Sequence, residues 1–112
     1  MTDLLSSGNK DKIEIMASII AMTQKPASVF QIKNKSGLSH QVVKKYLKMM
    51  SNYALIEEIK PENKKRPIFI STQKGIELLE AYCQILKIIY GADFMKKVGN
   101  LAVYCLKFCQ DD

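Results

Sequence analysis

The sequence predicts an α+β chain, mostly helical, with one small hairpin. Three observations carry that prediction. Apolar residues recur at helical spacing in five separate stretches of the 112 residues. Two short β-prone runs, Leu55-Ile56-Glu57-Glu58-Ile59 and Ile68-Phe69-Ile70, flank a loop rich in turn formers and cations. Between the second and third helical stretches stands a single Gly-containing turn, Ser36 to Leu38. With 47% hydrophobic residues, the chain suits one compact domain with an added helical arm.

The first helix is expected from about Lys10 to Met22, because Ile13, Met16, Ala17 and Ile20 fall at i, i+3, i+4 and i+7. It closes before Lys25-Pro26, since proline disfavours a helical residue ahead of it. Ser28 and Gln31 have the spacing of a capping box, which places a short helix at about 29–35 with Phe30 and Ile32 as its apolar contributions. The third helix, LSHQVVKKYLKMM (38–50), carries two stripes. Val43, Leu47 and Met50 line one side, while Lys44, Lys45 and Lys48 lie on the flanks or far side with no acid among them. Ser39 is its expected N-cap, and Leu38 and Val43 have the spacing of a hydrophobic staple. Two short helices about a tight turn are the outline of a helix-turn-helix. The two strands around the loop 60–67 then form a hairpin whose basic tip can reach a phosphate backbone.

Thr72 is placed to cap a long helix to about Tyr90, with Ile76, Leu79, Cys83, Leu86 and Tyr90 on one apolar line and Leu78, Tyr82, Ile85 and Ile89 on a second. Gly91-Ala92-Asp93 turns or kinks the chain before a last helix, in which Phe94, Val98, Leu101, Cys105 and Phe108 step four, three, four and three. That is more apolar surface than one wall of a small domain needs. The last helix is expected to pack on the preceding helix, on a second subunit, or on both.

Charge narrows the function. Residues 25–66 hold ten of the 17 Lys and Arg and three of the 11 acids, a net of +7 against +6 for the whole chain. A cationic excess so confined reads as a binding face for something anionic, nucleic acid first. Lys44, Lys45 and Lys48 alone fit an ordinary solvated face equally well. The Lys64-Lys65-Arg66 loop and the missing acids tip the balance. Lysines of this kind meet phosphates, which give affinity without sequence information, while Gln41 and His40 are the side chains suited to base edges. Tyr46 and Tyr53 are the residues that single-strand stacking would use, but Tyr46 stands beside Leu47 and is expected to pack on the core or the hairpin.

Other chemistry finds little support. Cys83, Cys105 and Cys109 are odd in number and lie in apolar helical surroundings, which argues against a disulfide framework and for a reducing compartment. Cys105 and Cys109 stand four apart, yet no third or fourth metal ligand is near and there is one histidine, so buried thiols are expected and no metal. There is no Gly-rich phosphate loop and no nucleophile beside a base; neither an enzyme nor a cofactor is expected. Residues 1–7 lack a signal peptide's basic and apolar regions, and no apolar run approaches the roughly 18–20 residues that span a bilayer. A cytoplasmic, nucleoid-associated protein is the expectation.

The order helix, helix, cationic helix, strand, basic loop, strand, long helix resembles the winged helix-turn-helix domains over roughly residues 10–90. Within them, KIEIMASII (12–20), LSHQVVKKYLKMM (38–50), the Leu55-Ile56-Glu57 strand start and ISTQKGIELLE (70–80) resemble the small archaeal DNA-binding proteins that dimerise through a C-terminal helix. The resemblance implies that Ser39, His40, Gln41, Lys44, Lys45 and Lys48 face double-stranded DNA, with Lys64, Lys65 and Arg66 on a two-stranded wing. It also implies a homodimer, whose contacts would fall on Leu79, Cys83, Leu86, Tyr90, Phe94, Val98, Leu101, Cys105 and Phe108. The division expected is a polar lead-in (1–9), a DNA-binding domain (10–72) and a helical dimerisation arm (73–112). Two features depart from the pattern: Ala54, where such proteins commonly carry glycine, and the last helix from Phe94 onward.

A transcriptional regulator is therefore the primary expectation, with a nucleoid architectural protein and a protein-interaction winged helix as alternatives. A membrane-surface role for the last helix, through Lys96, Lys97 and Lys107 around its apolar stripe, is a weaker one.

Overall fold

Three side chains open three helices, each by the same device. In the computed structural model, which describes residues 12–62 and 66–93, helix α1 spans Lys12–Met22 and a two-residue strand β1 covers Ala27–Ser28. Helices α2 (Val29–Ser36) and α3 (His40–Asn52) follow, then strands β2 (Ile56–Ile59) and β3 (Ile68–Ser71) and helix α4 (Gln73–Tyr90), which ends in a 3₁₀ turn at Gly91–Asp93. Ser28 forms the full capping box of α2: its Oγ accepts the Gln31 N–H at 3.2 Å and its own N–H donates to Gln31 Oε1 at 2.9 Å. Ser39 accepts from the Val42 N–H to start α3, and Thr72 from the Gly75 N–H to start α4. Each satisfies a donor that the helix itself cannot.

Between α2 and α3 the chain turns at Gly37, whose φ of +73° is left-handed and whose N–H returns to the Lys33 carbonyl. Leu38 packs against the core just before the cap and Val43 is buried inside it, as a staple requires.

The hairpin is joined by β1, so the sheet has three antiparallel strands in the order β1-β3-β2. Ala27 pairs with Phe69 on one side of β3, and Glu58 pairs with Phe69 on the other. A two-residue strand carries no period of its own, which is why the sequence reads as a two-stranded wing. The end of α1 is tied to β3 by a buried polar knot: Thr23 Oγ1 and Ser71 Oγ lie 2.8 Å apart, Ser71 Oγ donates to the Ile20 carbonyl, and the Ser71 N–H donates to the Thr23 carbonyl.

The core gathers Ile19 and Ile20 of α1, Ile32 of α2, Val43, Leu47 and Met50 of α3, Ile56, Phe69, and Leu79 and Cys83 of α4. Several expectations change here. Helix α1 is flanked by α2, β3 and α4, so it buries Ile15 and Ile19 as well as Ala17 and Ile20, while Ile13 and Met16 are only partly covered. Phe30 is 59% exposed whereas Ile32 is fully buried. Two residues apart on a helix are about 200° apart, so both could never have faced the core. Leu79 and Cys83, expected between subunits, close the protomer's own core. Cys83 is moreover disulfide-bonded, contrary to the expectation of unbridged thiols. The predicted last helix, with Phe94, Val98, Leu101, Cys105 and Phe108, also lies outside them.

Candidate nucleic-acid interface

Helix α3 owes its orientation to Val43, Leu47 and Met50, which are buried to within 2% exposure and fix its inner face. Every exposed residue of the helix is polar or cationic. Ser39, His40, Gln41, Lys44, Lys45 and Lys48 are all exposed. By helical geometry His40, Lys44 and Lys48 form one row at intervals of four, and Gln41 and Lys45 form the next row around the helix.

The first row adjoins the hairpin. A depression of about 370 Å³ is lined by His40 and Lys44 of α3, Ser28, Val29, Phe30 and Lys33 of β1 and α2, and Arg66 and Pro67 at the foot of β3. Four cationic or protonatable groups from three elements thus surround one hollow with no acid in its wall. A neighbouring depression of about 370 Å³ continues along α3, lined by Val29, Lys44, Leu47, Lys48, Ser51, Asn52, Glu58, Pro67 and Phe69. The two share Val29, Lys44 and Pro67, so they form one trough between α3 and the hairpin. Tyr46 packs against the core and Tyr53 is exposed. Lys64 and Lys65 lie outside the described residues.

The fold is shared with known proteins. A family model described as winged helix-turn-helix matches residues 9–90. The chain belongs to the winged helix-turn-helix family. Sso10a-2, a DNA-binding protein from Sulfolobus solfataricus, is similar in structure with a TM-score of 0.62 at 23% identity, over 82% of this chain and 96% of that one. The transcriptional regulator BldR from the same archaeon superposes with a TM-score of 0.65 at 16% identity, over 97% of this chain and 78% of its own. The MepR–DNA complex of S. aureus gives 0.61 at 19% identity, over 90% of this chain and 81% of that one. Comparison with curated protein sequences finds no match.

In the winged-helix frame, α2 and α3 are the helix-turn-helix pair and β2–β3 the wing. Lys33 and Phe30 are members of the surface that sequence reasoning left out. The signal was present in the helical spacing: with Ile32 turned inward, Phe30 two residues away falls on the opposite side, and Lys33 carries a charge that favours the wet side.

Proposed function

We propose that this protein is a homodimeric, sequence-preferring binder of double-stranded DNA acting as a transcriptional regulator in the cytoplasm. The observation that carries the reading is the convergence of Lys33, His40, Lys44 and Arg66 on one acid-free hollow beside an exposed polar helix face. In it α3 lies in the major groove, Lys44, Lys45 and Lys48 meet phosphates, and Gln41 and His40 reach base edges. Arg66 with Lys64 and Lys65 grips the backbone beside the groove. The reading needs no cofactor and no catalytic group. The fold it shares with Sso10a-2, described as DNA-binding, and with MepR, seen on DNA, supports it.

The dimer would form through the arm from residue 73 onward, leaving 10–72 to bind DNA. Its support is the end of α4, where Ile88 is 79% and Ile89 63% exposed. Such a stripe is costly to leave in water.

The test is a duplex titration across a salt series. Replacing Lys44, Lys45 and Lys48 together by alanine should weaken binding to every duplex and lower the slope of log affinity on log salt by about 2.7, the contribution of three phosphate contacts. An unchanged slope would overturn the assignment. Gln41→Ala should instead alter the sequences recovered from a random duplex library while leaving the slope in place. Recovery of no preferred sequence by the unaltered protein would turn the reading to an architectural nucleoid role.

A further inference from the structure

His40 is the single histidine of the chain, and it stands where the fold concentrates positive charge. It is the first residue of α3 after the Ser39 cap, at the end of the helix that carries the positive pole of the backbone dipoles. Lys33 of α2, Lys44 one helical turn further along α3, and Arg66 at the foot of β3 line the same hollow, and its other lining residues are uncharged. Glu58 of β2, the acid of the trough, lines the adjoining depression. The charged groups that share the hollow with His40 are thus all of one sign. A proton added to its ring brings one more positive charge among them, which nothing in that wall balances until a polyanion arrives.

Imidazole is the side chain that ordinarily changes charge between about pH 5 and 8. Neutral, the ring donates one hydrogen bond; protonated, it donates two and is cationic. A phosphate oxygen, or the N7 and O6 of a guanine edge, accepts more strongly from the second form.

We propose that His40 couples duplex binding to proton uptake. As double-stranded DNA covers the hollow, the ring nitrogen that is bare in the neutral form takes a proton from solvent, one for each protomer bound. The complex holds that proton more firmly than the free chain does. Affinity for duplex is therefore highest at low pH and falls as the pH rises through the imidazole range. Acidity then tunes binding with no ligand and no moving segment. The coupling rests on the DNA-binding reading above.

The test is a duplex titration of the full chain by fluorescence anisotropy at constant ionic strength, at either end of the imidazole range. Binding should be about three- to tenfold tighter at the lower pH for each protomer engaged, the difference between a charge-assisted and a neutral hydrogen bond. The amino terminus can also titrate near the top of this range, so two variants assign the effect. His40→Gln, which keeps a hydrogen bond and loses the proton site, should bind weakly at both pH values. His40→Arg, which fixes the charge, should bind tightly at both. His40 is exposed, so neither substitution touches the core. In carbon-13-labelled protein the one imidazole Cε1–H resonance should titrate at a higher pH in the complex than in the free chain. Equal affinity at both pH values, a pH response that survives in His40→Gln, or a resonance whose midpoint duplex does not move would overturn the coupling and leave the DNA reading in place. No duplex binding by any of the three proteins at either pH would refute that reading, and the coupling with it.

Discussion

Ala54 is held at φ +62°, a left-handed conformation that L-residues other than glycine seldom adopt. It is the residue after the cap of α3, and the hydrogen bonds around it are those of a Schellman motif: the Leu55 N–H returns to the Met50 carbonyl at 2.9 Å and the Ala54 N–H to that of Ser51 at 3.0 Å. Leu55 and Met50, the pair whose apolar contact accompanies that motif, are both buried. The turn is thus over-determined by its neighbours, and alanine carries the strain. Relief of a left-handed alanine gives about 1–2 kcal/mol, and the added freedom of glycine in the unfolded chain takes back about 0.4–1 kcal/mol. Ala54→Gly should raise the thermal midpoint by a few degrees; a lowered midpoint would contradict this account. The missing glycine was visible in the sequence as a departure from its relatives. The sign of φ was not, because it follows from where Leu55 must be buried.

Among the elements, the start of α4 sets how α3 stands against the rest. Thr72 donates its hydroxyl to the Ala54 carbonyl and its N–H to that of Leu55, and Lys74 Nζ reaches the Tyr53 carbonyl at 2.8 Å. Gly75 lies so near this turn that a Cβ there would fall inside contact distance of the Leu55 carbonyl oxygen, a backbone atom with little room to yield. Helix propensity favours alanine over glycine by about 1 kcal/mol, yet overpacking costs about 1–3 kcal/mol. Gly75→Ala should therefore destabilise the domain in denaturant titration, against its propensity. A gain in stability would show that α4 and the α3–β2 turn are not clamped. Thr72 was legible as a cap from its position before an apolar-periodic run; the glycine's task was not, since close approach is a property of two segments about twenty residues apart.

Over the whole molecule, α4 serves two purposes along its length. Up to Cys83 it supplies the wall on which α1 packs; beyond Cys83 no described residue is buried. Ile85 and Ile88 therefore contribute little to the protomer, and the proposed dimer gives them a place. Replacing both by lysine should halve the mass found by sedimentation equilibrium while leaving the unfolding midpoint of the domain nearly unchanged. A protein whose mass is the same before and after would remove the dimer from the proposal. The apolar excess of this helix was readable from its two parallel stripes, but the stripes could not be assigned to inside and outside. Only the packing of α1 against the first half shows that Leu79 and Cys83 belong to the protomer.

What the amino-acid order determined unaided is local. Capping side chains act on amides two or three residues away, and helical periodicity needs only a helix and one wet side. The three caps, the four helices, the wing and the inward and outward faces of α3 were therefore within its reach. The tertiary structure decided whatever depends on two surfaces meeting: the third strand, the double burial of α1, the outward turn of Phe30, the tight seat of Gly75, and the trough that gathers Lys33, Lys44, Ser51 and Arg66. Those residues come from three separate segments, and a side chain has no charge-bearing neighbours across a groove until the groove has closed.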